Sequence, residues 1–354
     1  MDPEVQEAAQ GAGGAQASGM DPEAQEDAPG AQESGMDPEA QEDAPGAQAS
    51  GRDLEAQEDA PGAQASGGPV LLRVRGVPFI DHFARNWPHV EAFEARPDDV
   101  LIATYPKSGT TWVSEMADLI RHGGQAAPCR RAPIYERVPF LEFAVPGLPT
   151  GVEQLRGMPG PRLIKTHLPV ELLPPSFWQQ RCKVVYVGRN AKDVAVSYYH
   201  FYRMAKVHPA PGPWDVFLRH FCQGEVSFGS WFAHVRGWWE KRAQAPLLYL
   251  FYEDLQEDAG REARRLAAFL GRRLGPEEAA AVLRHSAFGA MRANAMANYR
   301  TLPPAVMDQR VSPFLRKGVT GDWRNQFTVA QAEAFERLYR QRMAGTDLRF
   351  RDRL

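Results

Sequence analysis

The stretch that decides the fold is "TYPKSGTTW", residues 104–112. It follows the apolar run "DVLIATY" (99–105) and leads into "TTWVSEMADLIRHG", a helical pattern that stops near Gly123. A strand, a glycine-containing loop and a helix predict an anion site, because the N–H groups and dipole of a helix N-terminus favour negative charge. Lys107 precedes Gly109, so the GxxxxGK[ST] pattern of nucleotide triphosphatases is absent. A well-capped turn with a surface lysine stays open as the simpler interpretation.

Three further runs are as short and as rich in β-branched or aromatic residues: "RLIKTHL" (162–168), "CKVVYVG" (182–188) and "PLLYLFY" (246–252). Helical patterns lie between and after them, one of which opens at Asn190, a good N-cap. This alternation predicts an α/β fold, a single domain with a central parallel β-sheet flanked by helices on both faces. Ligands of such sheets bind at the carboxyl ends of the strands, where the opening loop lies.

Residues 1–68 differ from the rest, with a 16-residue repeat that starts at Gly19, Gly35 and Gly51. They hold 16 of the 44 acidic residues and one of the 41 basic ones, so residues 69–354 carry a net charge of +12. The repeat has almost no large apolar side chains, which predicts a disordered acidic tail (1–68) before one catalytic domain (69–354). The basic surplus fits an anionic ligand, and solvated surface charge explains it equally well.

Cysteine usage and the N-terminus indicate the compartment. Cys129, Cys182 and Cys222 show no metal-ligand spacing, the N-terminus has no apolar signal core, and no apolar run reaches about 18 residues. We therefore expect a cytosolic protein that binds neither a metal, a membrane nor a nucleic acid.

Two more segments carry chemistry. In "IKTHLP" the alternation of a strand puts Lys165 and His167 on one face and Thr166 on the other, so His167 is a candidate general base, with a core histidine as the alternative. Arg189 follows a predicted strand with Ser197 about two helical turns on, and "SPFLRKGVTGDWRNQF" places cations at 316–317 before a glycine. Two anion sites suggest a nucleotide phosphorylated on the ribose as well as at the 5′ position.

Five segments in this order closely resemble cytosolic sulfotransferases, and the phenol (aryl) subgroup in particular: "YPKSGTTW", "KTHLP", "RNAKDVAVSYYHFY", "FYEDL" and "RKGVTGDWRNQFTVAQ". The resemblance runs from about Val74 to the C-terminus, and the acidic repeat has no counterpart in the family. It implies a P-loop-like, nucleotide-kinase-like fold. It also implies the sulfuryl donor 3′-phosphoadenosine 5′-phosphosulfate (PAPS), which leaves as 3′-phosphoadenosine 5′-phosphate (PAP), and no metal.

The resemblance assigns roles by position. It implies in-line sulfuryl transfer to a phenolic hydroxyl with His167 as base and with Lys107 and Lys165 at the transferring group. The implied PAPS-binding residues are Lys107, Ser108, Gly109, Thr110, Thr111, Trp112, Arg189, Ser197, Tyr252, Ser286, Phe288, Met291, Phe314, Leu315, Arg316, Lys317 and Gly318. The implied acceptor pocket is Phe83, Tyr135, Phe140, Phe143, Lys165, His167, Phe201, Ala205, Val207, Tyr299 and Val306, which would take xenobiotic phenols and phenols of steroid or thyroid-hormone type.

Three positions bear on specificity and assembly. An acidic residue at the position of Ala205 favours catecholamines in the subgroup, so alanine predicts a preference for small neutral phenols over dopamine. The family's homodimer motif falls on Arg324, Thr328, Val329 and Glu333, with arginine in place of its lysine. Gly188 stands where the family usually has alanine.

Two other functions stay open from the residues alone. A nucleoside or sugar kinase would also bind phosphates, but the sequence lacks GxxxxGK[ST] and an evident magnesium carboxylate. A non-catalytic nucleotide-binding or scaffolding protein would need only the anion sites and the tail.

Overall fold

The structure, a computed structural model, describes residues 68–354. Its strands are β1 (Leu71–Val74), β2 (Val77–Ile80), β3 (Val100–Thr104), β4 (Leu163–Thr166), β5 (Lys183–Gly188) and β6 (Leu247–Phe251). The predicted tail lies outside these residues, apart from Gly68, and the boundary at 68/69 stays a prediction.

The helices alternate with the strands. They are α1 (Asp81–Arg85), α2 (Trp87–Glu91), α3 (Thr110–Arg121), α4 (Ile134–Arg137), α5 (Gly151–Gly157), α6 (Ser176–Gln179), α7 (Ala191–Met204), α8 (Trp214–Gln223), α9 (Trp231–Lys241), α10 (Tyr252–Glu257), α11 (Ala259–Leu270), α12 (Pro276–Ser286), α13 (Phe288–Ala293) and α14 (Val329–Arg342). In the described part of the chain, no helix is both long and apolar enough to cross a bilayer.

The central sheet has four parallel strands in the order β4-β3-β5-β6, and β1 pairs with β2 in a separate antiparallel hairpin. Alternate side chains of each strand enter different cores. On β5, for example, Val184 and Tyr186 pack into one core, and Val185 and Val187 into the other. Helices cover both faces, which confirms the predicted α/β fold and explains why these strands read as continuous apolar runs.

The observed elements agree with the sequence patterns. The four predicted strands are β3 to β6, each shorter by one to three residues than its apolar run. The helix after the loop begins at Thr110 and ends at Arg121, where Gly123 and Gly124 have φ of 61° and 78°. Asn190 caps α7, its side chain accepting from the Asp193 N–H.

The parallel pairing brings four chain segments to one edge. Beyond the carboxyl ends of β3, β4, β5 and β6 come the loop from residue 105, His167, Arg189 and Tyr252. Residues that are far apart in sequence therefore meet because their strands end in register.

At the opposite edge a buried ion pair joins β3 to β4. Arg162 donates from Nε to Asp99 Oδ1 at 2.8 Å and from Nη2 to Asp99 Oδ2 at 2.6 Å, with side-chain exposures of 2% and 0%. A third donor, Nη1, contacts the Leu155 carbonyl at 2.8 Å. The guanidinium therefore joins the amino ends of the two strands to each other and to α5.

We expect Arg162→Met to lower the free energy of unfolding by about 3–5 kcal/mol, because Asp99 would remain charged and buried without its partner. Urea denaturation measures the change. The matched control is Arg73→Met, which removes an ion pair with Glu225 whose side chains are 53% and 49% exposed and which should cost about 1 kcal/mol or less. Equal losses in the two variants would contradict this role for the buried pair.

Candidate active site

A cavity of about 780 Å³ opens at the carboxyl edge of the sheet. We call the part around Lys107, Arg189, Arg316 and Lys317 the cationic end, and the part around Phe83, Phe140, Phe143 and Tyr299 the aromatic end. Every site residue predicted from the sequence lines this cavity except Ser108 and Ala205. The structure therefore brings together residues from β3 to the C-terminal loop.

The loop before α3 offers main-chain donors to the cationic end. Gly109 is the N-cap with φ 101°, and no side chain in the described ranges caps this helix, so its first N–H groups are available. A Cβ on Gly109 would lie 2.8 Å from the Tyr252 ring, so the close approach and the left-handed φ both require glycine. The geometry is that of an anion-binding helix terminus, as the sequence predicted.

Lys107 is the most constrained cation of the loop. Its φ is 69°, and its Nζ lies 4.5 Å and 4.3 Å from the ring centroids of Phe201 and Phe314. Burial, together with the nearby guanidinium groups of Arg189 and Arg316, lowers the pKa of Lys107 to about 7. An anion in the cationic end would favour the charged form.

The other cations are held in place before any ligand binds. Arg189 donates to the Lys107 carbonyl at 3.1 Å and the Val319 carbonyl at 2.8 Å, and its guanidinium lies 4.1 Å from the Tyr252 ring centroid. Arg316 and Lys317 both pair with Asp322. Burial acts to raise the pKa of Asp322, but its hydrogen bonds with these two cations and with Asn325 lower that pKa to about 2.

The loop that carries these cations is anchored to distant elements. Asp193 on α7 accepts from the Gly321 N–H at 2.8 Å and the Trp323 N–H at 2.9 Å. Trp323 Nε1 donates to the Asp352 carbonyl at 2.9 Å, and Lys192 Nζ to the Asp352 carboxylate at 2.5 Å. Helix α7 and the C-terminal segment together hold the loop.

Several buried polar atoms of the cationic end have no partner within residues 68–354: Ser108 Oγ, Trp112 Nε1, Arg189 Nε and Arg316 Nε. Such groups are rare in folded proteins unless a ligand or water satisfies them. Beside them, Trp112 and Tyr252 meet edge to face at 5.6 Å, and a Cβ on Gly318 would lie 2.2 Å from the Phe288 ring. The donors and the flat aromatic walls suit an anion attached to a planar ring.

His167 lies between the two ends, and its tautomer is set by the main chain. Its Nδ1 is 2.9 Å from the Thr104 carbonyl oxygen, which only accepts, so Nδ1 carries the proton and Nε2 keeps its lone pair. Burial, with a smaller contribution from the charge of Lys165, lowers the pKa of His167 to about 3, although the hydrogen bond to Thr104 acts in the opposite direction. The ring is therefore neutral at physiological pH and can accept a proton.

Thr166 and Lys165 point as strand alternation predicts. Thr166 Oγ1 turns away from the cavity and donates to Glu142 at 2.9 Å. Lys165 Nζ faces the cavity and donates to the Tyr299 hydroxyl at 2.7 Å. A cation thus lies beside the ring of His167 at the aromatic end.

The wall of the aromatic end includes residues that the sequence did not reveal. Phe228 contacts His167 at 5.4 Å and Phe79 at 5.2 Å between ring centroids. His208 is buried, which lowers its pKa to about 3, and its Nδ1 has no partner in the described part of the chain. Phe228 and His208 both lie in irregular segments, where no periodic pattern of apolar residues predicts which side chains face the cavity.

Three positions named in the sequence analysis are buried: Ser108, Gly188 and Ala205. Ala205 is 1% exposed and bridges to Met307, so its neighbour Val207, not Ala205, reaches the cavity wall. Ser108 is fully buried behind the loop. A Cβ on Gly188 would lie 2.8 Å from the Tyr249 hydroxyl and 2.9 Å from Phe350, so these two side chains occupy the space that alanine would need.

One cluster outside the cavity has the composition of a metal site. Ligand atoms of Asp118, His122 and Cys129 lie within 4.8 Å of one another. Asp118, however, already accepts from Arg131 at 3.0 Å and Arg137 at 2.5 Å. Burial and the Asp118 charge raise the pKa of Cys129 to about 12, which disfavours the thiolate that a metal needs.

The comparisons with known proteins agree with this geometry. A family model described as "Sulfotransferase domain" matches residues 97–347. The chain is 57% identical to bovine Sulfotransferase 1A1 over 278 residues, which cover 78% of this chain and 94% of the relative. It is 55% identical to rat Sulfotransferase 1 family member D1 over 284 residues, or 80% and 96% of the two chains. A mouse sulfotransferase solved in complex with PAP superposes with a TM-score of 0.63 at 32% identity, over 78% of this chain and 96% of the other.

We expect Lys107→Met to stabilise the protein, because the parent chain buries a lysine whose pKa is lowered to about 7. Below about pH 7 the lysine is charged in both states and the full burial penalty is present. Between about pH 7 and the ordinary pKa of lysine, the unfolded chain still binds a proton that the folded chain has lost. The parent protein therefore becomes more stable as pH rises, and the difference in stability between it and the Lys107→Met variant becomes smaller.

Urea denaturation at about pH 6 and about pH 9 measures this difference, expected to be about 1–2 kcal/mol at the lower pH. Lys206→Met, at an exposed lysine, is the control and should change stability by less than about 0.5 kcal/mol at either pH. A destabilised Lys107→Met protein, or a difference that widens with pH, would contradict the argument.

Proposed function

The chain belongs to the sulfotransferase family, and we propose that it transfers the sulfuryl group of PAPS to the hydroxyl of small phenols. One observation carries the proposal: the neutral His167, with Nε2 unprotonated, lies where the cationic and aromatic ends of one cavity meet. A base at that junction is what a sulfuryl transfer from an anionic donor to an aromatic alcohol requires.

The cationic end fits PAPS with its PAP product. The mouse relative was solved with PAP, and here the Nε atoms of Arg189 and Arg316, which have no partner in the described part of the chain, can donate to an anion. We assign the 5′-phosphosulfate to the loop from Lys107 to Trp112. The 3′-phosphate falls to Arg189, Ser197 and residues 316–318, with adenine between Trp112 and Phe288 and beside Tyr252, Ser286 and Met291.

Different residues of the chain would accept the proton and stabilise the negative charge. Bound PAPS would supply the sulfuryl group, and PAP would be the leaving group once the bond between its 5′-phosphate oxygen and sulfur breaks. His167 Nε2 takes the phenolic proton, and its Nδ1–H remains on the Thr104 carbonyl. Lys107 and Lys165 stabilise negative charge on either side of the transferred group, where one such preorganised donor is worth about 3–4 kcal/mol. The aromatic walls keep water from competing with the phenol.

The aromatic end favours a flat, uncharged acceptor. Phe83 meets Phe140 and Phe143 at 5.5 Å and 6.1 Å, which makes a narrow apolar wall. Among the described lining residues the one carboxylate is Glu136, whose residue is exposed. Xenobiotic phenols therefore suit the pocket best, with phenols of steroid or thyroid-hormone type as larger candidates.

We also propose a cytosolic homodimer. All four positions of the family's dimer motif are exposed: Arg324, Thr328, Val329 and Glu333. Val329, an apolar residue at the start of α14, is 76% exposed. All three cysteines are free thiols, as suits a reducing compartment.

We expect His167→Ala to lower the rate of sulfate transfer from radiolabelled PAPS to 4-nitrophenol by about 10²–10⁴-fold, because the phenol loses its proton acceptor. Binding of PAP, followed by thermal shift, should survive, and ATP should shift the melting temperature less than PAP. His89→Ala, at an exposed histidine outside the cavity, serves as the control. The proposal fails if the His167 variant keeps near-normal turnover, with or without residues 1–68.

A second prediction concerns the acceptor. The parent protein should use 4-nitrophenol at low concentration at least about tenfold more efficiently than dopamine, since the ammonium group finds no buried carboxylate in the described pocket. The ratio of kcat/KM values measures this preference. Comparable kcat/KM values for the two phenols would contradict the assignment of a neutral acceptor.

A further inference from the structure

His167 lies just beyond the end of β4, so its main chain has left the strand ladder. Two buried side chains that do not line the cavity hydrogen-bond to its N–H and its C=O instead. We propose that Glu142 and His234 are positioning residues, which clamp the His167 peptide from both sides and so hold the imidazole in its reactive orientation. This inference rests on the proposed role of His167 as the base.

Glu142 holds the N-terminal side of the clamp. It is 1% exposed, and its Oε1 accepts from the His167 N–H at 2.6 Å. Its Oε2 accepts from Thr166 Oγ1 at 2.9 Å, and that hydroxyl accepts in turn from the Leu168 N–H at 3.1 Å. One carboxylate therefore orders three consecutive residues, and a short bond to an ionisable acceptor is among the stronger kinds.

His234, on α9, holds the C-terminal side. Its Nε2 lies 3.0 Å from the His167 carbonyl oxygen, which only accepts, so Nε2 carries the proton. Its Nδ1 must then accept, and Tyr186 donates its hydroxyl to it at 2.9 Å. The Tyr105 ring meets the imidazole edge to face at 5.3 Å. The tautomer and ring plane of His234 are therefore set by hydrogen bonds to His167 and Tyr186 and by packing against the Tyr105 ring.

These contacts bear on rate because the imidazole is attached to the peptide they hold. Its Nδ1, which lies 2.9 Å from the Thr104 carbonyl oxygen and 3.0 Å from the Thr104 hydroxyl, sets the tautomer, whereas the main chain of residue 167 sets the point from which the ring projects. A peptide rotation at residue 167 would swing Nε2 across the cavity, and a displacement of about 1 Å costs on the order of 10²-fold in rate. Trp238 supports the same segment by donating to the Leu168 carbonyl at 3.1 Å.

The test pairs a variant that abolishes each bond with one that restores it. Glu142→Leu removes the acceptor, whereas Glu142→Gln keeps a carbonyl oxygen for the His167 N–H. His234→Asn lacks a donor at the Nε2 position, whereas the amide nitrogen of His234→Gln reproduces it. We expect kcat for 4-nitrophenol to fall about 10- to 100-fold in the first of each pair and to recover most of that loss in the second.

The readouts separate positioning from a general loss of structure. PAP affinity and acceptor KM should stay within about two-fold of the parent values while kcat falls. In a His167→Ala background, Glu142→Leu and His234→Asn should lower the residual rate no further, because they act only through His167. Should either first variant not fold, Tyr186→Phe loosens His234 by removing one hydroxyl, and we expect it to lower kcat about three-fold or more.

The matched control is Ser176→Ala. Ser176 is also buried and also ties two main-chain groups, donating to the Phe93 carbonyl at 2.7 Å and accepting from the Ala95 N–H at 3.0 Å, but it does not line the cavity. It should lose stability and keep its kcat. Unchanged kcat in Glu142→Leu and His234→Asn, or no recovery in the glutamine variants, overturns the clamp. Near-normal turnover in His167→Ala overturns the proposed function itself.

Discussion

The structure depends on one constraint: four buried parallel strands must end in register, because each is bonded to its neighbours along its whole length. Thr104 pairs with Val187, and Gly188 pairs with Phe251. The chain can leave the ladder only at the edges, and the side chains that follow the strands project into the same space. That register sets the relative positions of Lys107, His167 and Arg189, each of which follows a strand end.

The cationic end could be predicted from sequence because its information is local. A strand, Gly109 and a helix start specify main-chain donors within a few residues, and the cations at 189, 316 and 317 stand in short recognisable segments. The strand alternation that separates Lys165 from Thr166 is equally local. Tertiary structure adds little beyond bringing these segments together.

The rest of the site could not be predicted from the residues alone, because it depends on packing between distant segments. Phe228 reaches the cavity from a left-handed φ of 69°, a conformation that no pattern assigns to phenylalanine. In the sequence, nothing distinguishes Glu142 and His234 from other acidic residues and helix histidines. The fold shows that both side chains hydrogen-bond to the main chain of His167. Lys107, Phe228 and Tyr299 all have positive φ and all line the cavity, so three of the backbone positions that are unfavourable for residues other than glycine lie around it.

The anchoring of the C-terminal loop has a consequence for synthesis in the cell. Helix α3 and Arg189 leave the ribosome well before Arg316 and Lys317, which pair with Asp322. The loop that carries these residues is anchored in part by the bond from Trp323 to Asp352, close to the end of the chain. A growing chain therefore completes its sheet before it completes its nucleotide cradle. A nucleotide that needs Arg316 and Lys317 therefore cannot bind when only the sheet has been made, and one of the two cores also stays incomplete until Phe335 and Leu348 have been added.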